Sequence, residues 1–303
     1  VITGPTASGK SSIAFALAQT LGLTIVSCDS RQIYRGMDIG TAKPSLDEQS
    51  KVSHRLINII EPIESYSLYH YFDDATAVLE QLKRDNVCGL VCGGTGLYLR
   101  SLIDGVGVQE ESDPAVRDML TERVRSEGCQ TLHDELKCCD PECAEKIHAN
   151  DAQRIIRALS VYHQTGKPLS VLHRIIQKKN NFRFNVVKLT ADREWLYRRI
   201  NERVDKMIAQ GLYDEFRELV AVGCNETTPG MQCVGYRELF AVQNGTCSFD
   251  DAVEMIKRNT RRFAKRQITW FSHQQSGIEI DASLPMETLV EKMKAVFSDS
   301  AFC

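Results

Sequence analysis

The chain has 303 residues, with 37 lysines and arginines against 40 aspartates and glutamates and a formal charge of -3. An apolar fraction of 43% and a charged fraction of 25% are those of an ordinary globular protein long enough to bury a core. They exclude a chain whose bulk charge alone would seek nucleic acid, and the uncharged stretch Asn86 to Leu99, broken by four glycines, is too short for a membrane span of roughly 18 residues.

Val1-Ile2-Thr3 is a β-branched run that reads as a clipped first strand. It leads into Gly4-Pro5-Thr6-Ala7-Ser8-Gly9-Lys10-Ser11, a complete G-x-x-x-x-G-K-S, and Ile13, Ala14, Leu17 and Leu21 then recur at helical spacing. Strand, loop and helix are the context this phosphate loop needs. Its glycines let backbone N–H groups turn around phosphate oxygens, the helix N-terminus adds positive potential, Lys10 neutralises charge, and the Ser11 hydroxyl can ligate Mg²⁺. Such a loop recognises a polyphosphate rather than a base.

Thr24 to Ser27 reads as a second strand, completing a βαβ unit, and ends in Cys28-Asp29-Ser30-Arg31-Gln32. A carboxylate there shares the sheet edge at which open α/β folds bind ligands. Position alone leaves Asp29 three roles: Mg²⁺ anchor, general base, or cap of the following turn. Further buried strands are expected at Leu56 to Ile60, Val87 to Cys92, Val186 to Thr190 and Ile278 to Ile280, with a helix at Tyr71 to Arg84. The strand at Val87 to Cys92 closes on Gly93-Gly94-Thr95-Gly96, a glycine-rich turn that brings a hydroxyl to the same edge. Between Asp113 and Phe182 strand signals vanish, and helices are expected at Pro114 to Ser126, Thr131 to Lys137, Pro141 to His148 and Asp151 to Gln164. Arg193 to Val222 reads as helix, Asn225 to Gly230 as turn and Asp250 to Phe271 as a last long helix, with a frayed tail after Ser298. The expected fold is α/β: a P-loop NTPase-like, mostly parallel sheet flanked by helices (1–112 and 183–303) with an all-helical insertion (113–182).

Eleven cysteines, odd in number and partly inside strand-like runs, fit reduced thiols of a cytoplasmic protein better than a disulfide framework. His133, Cys138, Cys139, Cys143 and His148 form the one dense group; it lacks a paired C-x-x-C knuckle, and packing is favoured over zinc. Arg258, Arg261, Arg262, Lys265 and Arg266 cluster on the last long helix with Phe263 and Trp270. Cations can track phosphates there and rings can stack an unpaired base, although a solvated face is the bland reading.

The string of motifs resembles the tRNA dimethylallyltransferases (tRNA isopentenyltransferases): GPTASGKS at Gly4 to Ser11, DSRQIYRGMDIGTAKP at Asp29 to Pro44, GGTGLY at Gly93 to Tyr98, IHANDAQRIIRAL at Ile147 to Leu159, TGKPLS at Thr165 to Ser170, RINERVDKM at Arg199 to Met207, VGYRE at Val234 to Glu238 and AKRQITWF at Ala264 to Phe271. They run in family order over nearly the whole chain. The resemblance implies transfer of a dimethylallyl group from dimethylallyl diphosphate to N6 of the adenosine 3′ to the anticodon, with Mg²⁺ held at Ser11. It implies diphosphate binding by Gly4, Thr6, Ala7, Ser8, Gly9, Lys10 and Ser11, and catalytic roles for Asp29 as base, Thr95 and Arg203. It implies tRNA contact, through the anticodon stem-loop, by Asp29, Ser30, Arg31, Gln32, Thr95, Arg117, Gln153, Arg154, Ile155, Ile156, Arg157, Cys233, Gly235, Tyr236 and Arg237, beside the contact that the basic helix itself suggests for Arg262, Lys265 and Arg266. Nothing after Trp270 has the Cys/His spacing of the zinc-finger extension of eukaryotic relatives, so the bacterial type, a cytoplasmic monomer, is expected. The competing readings are an adenylate isopentenyltransferase, which shares the phosphate loop and the Asp motif, and a small-molecule P-loop kinase, which would consume ATP.

Overall fold

The computed structural model describes residues 1–106, 113–175, 178–274 and 276–298. The chain divides into two compact units, Val1–Ile103 with Asn181–Cys303, and Asp104–Asn180. The first begins β1 (Ile2–Thr3), α1 (Lys10–Leu21), β2 (Thr24–Ser27), α2 (Leu46–Lys51), β3 (His54–Arg55), α3 (Leu68–Arg84), β4 (Gly89–Gly93) and α4 (Gly96–Asp104). The second contains α5 (Pro114–Glu127), α6 (Cys129–Cys139), α7 (Pro141–Lys146), α8 (Ala152–Thr165) and α9 (Leu169–Ile175). The first unit resumes with β5 (Val187–Thr190), α10 (Arg193–Ala209), α11 (Leu212–Ala221), α12 (Tyr236–Gln243), α13 (Phe249–Gln274), β6 (Ile278–Asp281) and α14 (Met286–Ser298).

The six described strands are all parallel, in the order β3-β2-β4-β1-β5-β6. Pairing of Ile2 with Cys92 and Val187, and of Ser27 with Cys92, aligns the C-terminal ends of β1, β2 and β4. The phosphate loop, the Asp29 turn and the Gly93–Gly96 turn therefore leave the sheet along one edge, the ligand-binding edge of open parallel sheets. Ile13, Leu17, Val187 and Met293 are fully buried in the core formed around the sheet, α1 and α14. Helices α11 and α12 and the loop after Asp29 share a second core around Met37, Phe216 and Tyr236. No described helix is long and apolar enough to cross a membrane.

The apolar run Leu56 to Ile60 is not the expected strand. Leu56 and Asn58 adopt positive φ (61° and 54°), and Asn58 and Ile59 donate to the carbonyls of Gln32 and Ile33, so the run braces the loop after Asp29 instead. The helix expected from Arg193 to Val222 is broken at Gly211, whose φ of 96° is left-handed and ends the helical path. Helices α2, α4, α9, α12 and α14 were not expected, and the tail after Ser298 lies outside the described residues. In the helical unit Leu120, Leu132, Leu136, Ile155 and Leu159 make the core, and Asp113, Asp140 and Asp151 cap α5, α7 and α8. That unit begins before residue 113 because Val106 pairs with Lys178 in an antiparallel bridge. Nine of the described cysteines are free thiols. His133 is buried, with Nε2 3.1 Å from the Ala144 carbonyl and 2.8 Å from that of Ile147, so it ties α6 to α7 as a packing residue.

Candidate active site

The phosphate loop is built on three unusual backbone positions. Gly4 has φ 152°, and a Cβ there would lie 2.9 Å from the Leu189 carbonyl oxygen, so a side chain would push β5 away. Ala7 (φ 63°) and Gly9 (φ 88°) are left-handed, the backbone alternation from which anion-binding nests are made. Gly9 caps α1, whose first residues are Lys10 and Ser11. The Lys10 ammonium donates to the Pro5 carbonyl at 3.2 Å. Burial pushes its pKa below the ordinary lysine value, against the opposing pull of Cys92 and Asp29.

From α10, Arg199 donates through Nε to the Ala7 carbonyl at 2.9 Å and stacks on Trp195, its guanidinium carbon 4.7 Å from the ring centroid. One turn on, Arg203 is half-buried; desolvation pulls its pKa down while Asp29 holds it up. Lys10, Ser11, Arg199, Arg203 and Lys206 line a cavity of about 250 Å³, with one carboxylate, Glu202, on its wall. Four cations around a helix N-terminus suit a diphosphate. Ser11 supplies a hydroxyl at that cavity, a hard oxygen donor of the kind Mg²⁺ takes beside phosphate oxygens.

Asp29 lies at the C-terminal end of β2 and accepts the Arg31 amide at Oδ1 (2.9 Å). The turn-cap role is thus observed, and it engages one carboxylate oxygen. Thr95 stands beside it: its Oγ1 accepts the Ser30 amide at 3.0 Å, and its own amide donates to the Cys28 carbonyl at 3.1 Å. This approach requires Gly93, where a Cβ would fall well inside van der Waals distance of the Cys28 backbone. Asp29, Thr95, Arg203, Arg266 and Gln267 line a second cavity of about 300 Å³ whose apolar wall is Val204, Met207, Ile256 and Phe263. Arg203 lines both cavities, so the cation-rich cavity and the one that holds Asp29 meet at one arginine.

The remaining expected positions divide. Ser30, Arg31, Cys233, Gly235 and Arg237 line the second cavity with Asp29. Gln32 turns inward, accepting the Ser27 hydroxyl (3.2 Å) and donating to the Ala42 carbonyl (3.1 Å), which gives its side chain a structural task. Tyr236 is fully buried and its hydroxyl donates to Glu215 at 2.6 Å; its side chain is a core element, not an RNA-facing one. Ile155 is likewise fully buried, in the core of the helical unit, because it falls on the inner stripe of α8. On the same helix Gln153 and Arg154 are exposed and Ile156 and Arg157 half-buried; Arg117 is exposed on α5. On α13, Arg262, Lys265 and Arg266 are exposed, Arg266 lying over Phe263 at 5.7 Å. Arg261 instead donates to Asn201 at 2.6 Å, and Trp270 packs so closely on Gly96 that no side chain would fit there, so neither joins the exposed basic face.

Three polar residues that hold the site together have roles that the sequence does not single out. Arg199 opens one of the family motifs but has no local pattern that sets it apart from neighbouring arginines. Gln267 accepts the Thr6 amide and donates to the Gly94 carbonyl, both at 2.8 Å, bridging the two glycine-rich loops from α13. Glu215 sits in an ordinary amphipathic helix, and its partners are visible only in three dimensions.

The IPP transferase family model matches residues 32–274, and the isopentenyl transferase model matches residues 1–62. A tRNA dimethylallyltransferase of Geobacillus thermodenitrificans is 43% identical over 298 residues, 98% of this chain and 94% of that protein. That of Carboxydothermus hydrogenoformans is 45% identical over 89% of this chain and 88% of its own. Among solved structures, the tRNA isopentenylpyrophosphate transferase of Bacillus halodurans aligns with a TM-score of 0.71 and 35% identity, covering 98% of this chain and 94% of its own. A eukaryotic dimethylallyltransferase acting on tRNA shares the fold at a TM-score of 0.82 and 24% identity, over 99% of this chain and 79% of its own. With a family model matched over residues 32–274 and relatives matched almost end to end, the chain belongs to the tRNA dimethylallyltransferase family.

Proposed function

We propose that the protein transfers a dimethylallyl group from dimethylallyl diphosphate to the exocyclic N6 of the adenosine 3′ to the anticodon of tRNA, releasing pyrophosphate. The observation that carries this reading is the meeting at Arg203 of a cationic phosphate cavity and a cavity with a carboxylate and an apolar wall. A diphosphate fits the first, and its branched hydrocarbon tail suits Val204, Met207, Ile256 and Phe263 in the second. The N6 lone pair attacks the allylic C1 as the C1–O bond to the diphosphate breaks. Asp29 receives the proton that N6 loses, and Lys10, Arg199 and Arg203 take up the negative charge growing on the leaving group. Thr95 holds the Asp29–Ser30 turn through the Ser30 amide and so aims the carboxylate. Mg²⁺ would be held by Ser11 and phosphate oxygens, and supplies further neutralisation of the leaving pyrophosphate when bound.

The anticodon stem-loop is the proposed partner of the exposed Arg262, Lys265 and Arg266, and of the exposed Arg117, Gln153 and Arg154. Incubation with labelled dimethylallyl diphosphate and either tRNA or AMP, followed by nucleoside analysis, tests the reading: isopentenyladenosine is expected in tRNA only. Label in AMP would support the adenylate reading, and ATP consumption without a prenylated nucleoside would support a kinase.

A further inference from the structure

The loop that follows Asp29 is fastened by one carboxylate from a distant helix. Glu215, on α11, accepts three consecutive backbone amides, Asp38 and Ile39 at Oε2 (2.8 and 2.7 Å) and Gly40 at Oε1 (3.0 Å). Oε1 also accepts the Tyr236 hydroxyl at 2.6 Å. Gly40 lies against the same tyrosine, where an added Cβ would be 2.5 Å from the ring. A single side chain thereby ties together two segments far apart in the chain, and both reach the acid-bearing cavity, Gly40 and Thr41 from one and Cys233 to Gly235 from the other. The chemistry demands a carboxylate: four donors converge on two oxygens, and a side chain with any N–H of its own would set donor against donor. The cationic cavity, in contrast, takes its described walls from the phosphate loop, the start of α1 and α10.

We propose that Glu215 is a positioning residue for the acceptor half of the site, one that holds the 38–41 and 233–235 walls at the spacing in which the target adenine meets Asp29. It touches neither substrate. The proposal rests on the prenyl-transfer reading for the identity of the acceptor, and not for the clamp itself.

Glu215→Gln keeps the shape and replaces one acceptor oxygen by a donor. Its kcat/KM for tRNA should fall at least about tenfold, while binding of inorganic pyrophosphate with Mg²⁺ to the free enzyme stays within about twofold. Hydrogen exchange of the 38–40 amides should accelerate at least about tenfold. Tyr236→Phe, which removes one of the four donors, should move tRNA turnover in the same direction by less. Unchanged tRNA turnover or unchanged amide protection overturns the proposal, as does a loss of pyrophosphate affinity in parallel with turnover, which would mark general destabilisation. If the wild-type protein prenylates no tRNA, the functional reading fails, and the exchange rates alone decide whether Glu215 holds the loop.

Discussion

Asp29 has one oxygen engaged by the Arg31 amide, and this fixes the carboxylate's direction before any substrate arrives. An asparagine can keep that bond through its carbonyl oxygen but cannot take the amine proton. Asp29→Asn should therefore leave folding and tRNA affinity nearly intact and lower turnover about 10²-fold or more, measured under single-turnover conditions. Lys10 gives a second expectation, from its lowered pKa. Burial disfavours its charge in the free protein, and an arriving diphosphate favours it, so ligand binding raises a depressed pKa, with proton uptake wherever the pH lies near or above the free-protein value. Pyrophosphate affinity should fall as pH rises through the free-protein Lys10 pKa toward its bound value. Calorimetry in buffers of different ionisation enthalpy reads the proton balance directly, and Lys10→Met should remove the lysine's share of it.

At the scale of elements, α13 has separate tasks on different faces. Gln267 looks inward to bridge Thr6 and Gly94, whereas Arg262, Lys265 and Arg266 are exposed. Replacing Arg262 and Arg266 should weaken tRNA binding and reduce the slope of log K against log salt by about one for each phosphate that is no longer neutralised, with pyrophosphate binding unchanged. An unaltered slope would make this a solvated face. Strand β4 offers a packing test. Gly93 faces the Cys28 backbone, which cannot swing aside, while Gly89 in the same strand faces side chains alone, the flexible ends of Leu79 and Leu82 at 3.0 and 3.1 Å and Val26 at 3.7 Å. Gly93→Ala should cost about 3 kcal/mol, near the upper end for overpacking, and Gly89→Ala clearly less, in denaturant titrations of the two variants.

Across the whole molecule, what can be read in the chain is whatever is written locally. The phosphate loop, the strands at β2, β4, β5 and β6 and the helical stretch from Pro114 onward depend on spacing within a dozen residues, and all are present. Leu56 to Ile60 resembles a strand because its apolar residues match one; positive φ at Leu56 and Asn58 accompanies its pairing with Gln32 and Ile33 instead. Tyr236 and Ile155 sit inside motifs that the family resemblance assigns to RNA, and only packing reveals that their side chains point into cores. Glu215 and Gln267 take backbone partners 173 to 261 residues away, beyond the reach of any periodicity. The parallel sheet and the site's edge follow from alternation of strands and helices, while the brace around the site does not.

The bridge between Val106 and Lys178 gives the helical unit a structural independence. Val106 and Lys178 exchange two backbone hydrogen bonds, so the chain between them leaves and returns at one point. Closure entropy grows only with the logarithm of loop length, and here it is met within the unit itself. Helices between those ends could be lengthened, shortened or exchanged over generations with little effect on assembly of the six-stranded sheet. A lineage could thus revise the cassette independently while leaving the chemistry at the sheet edge unchanged.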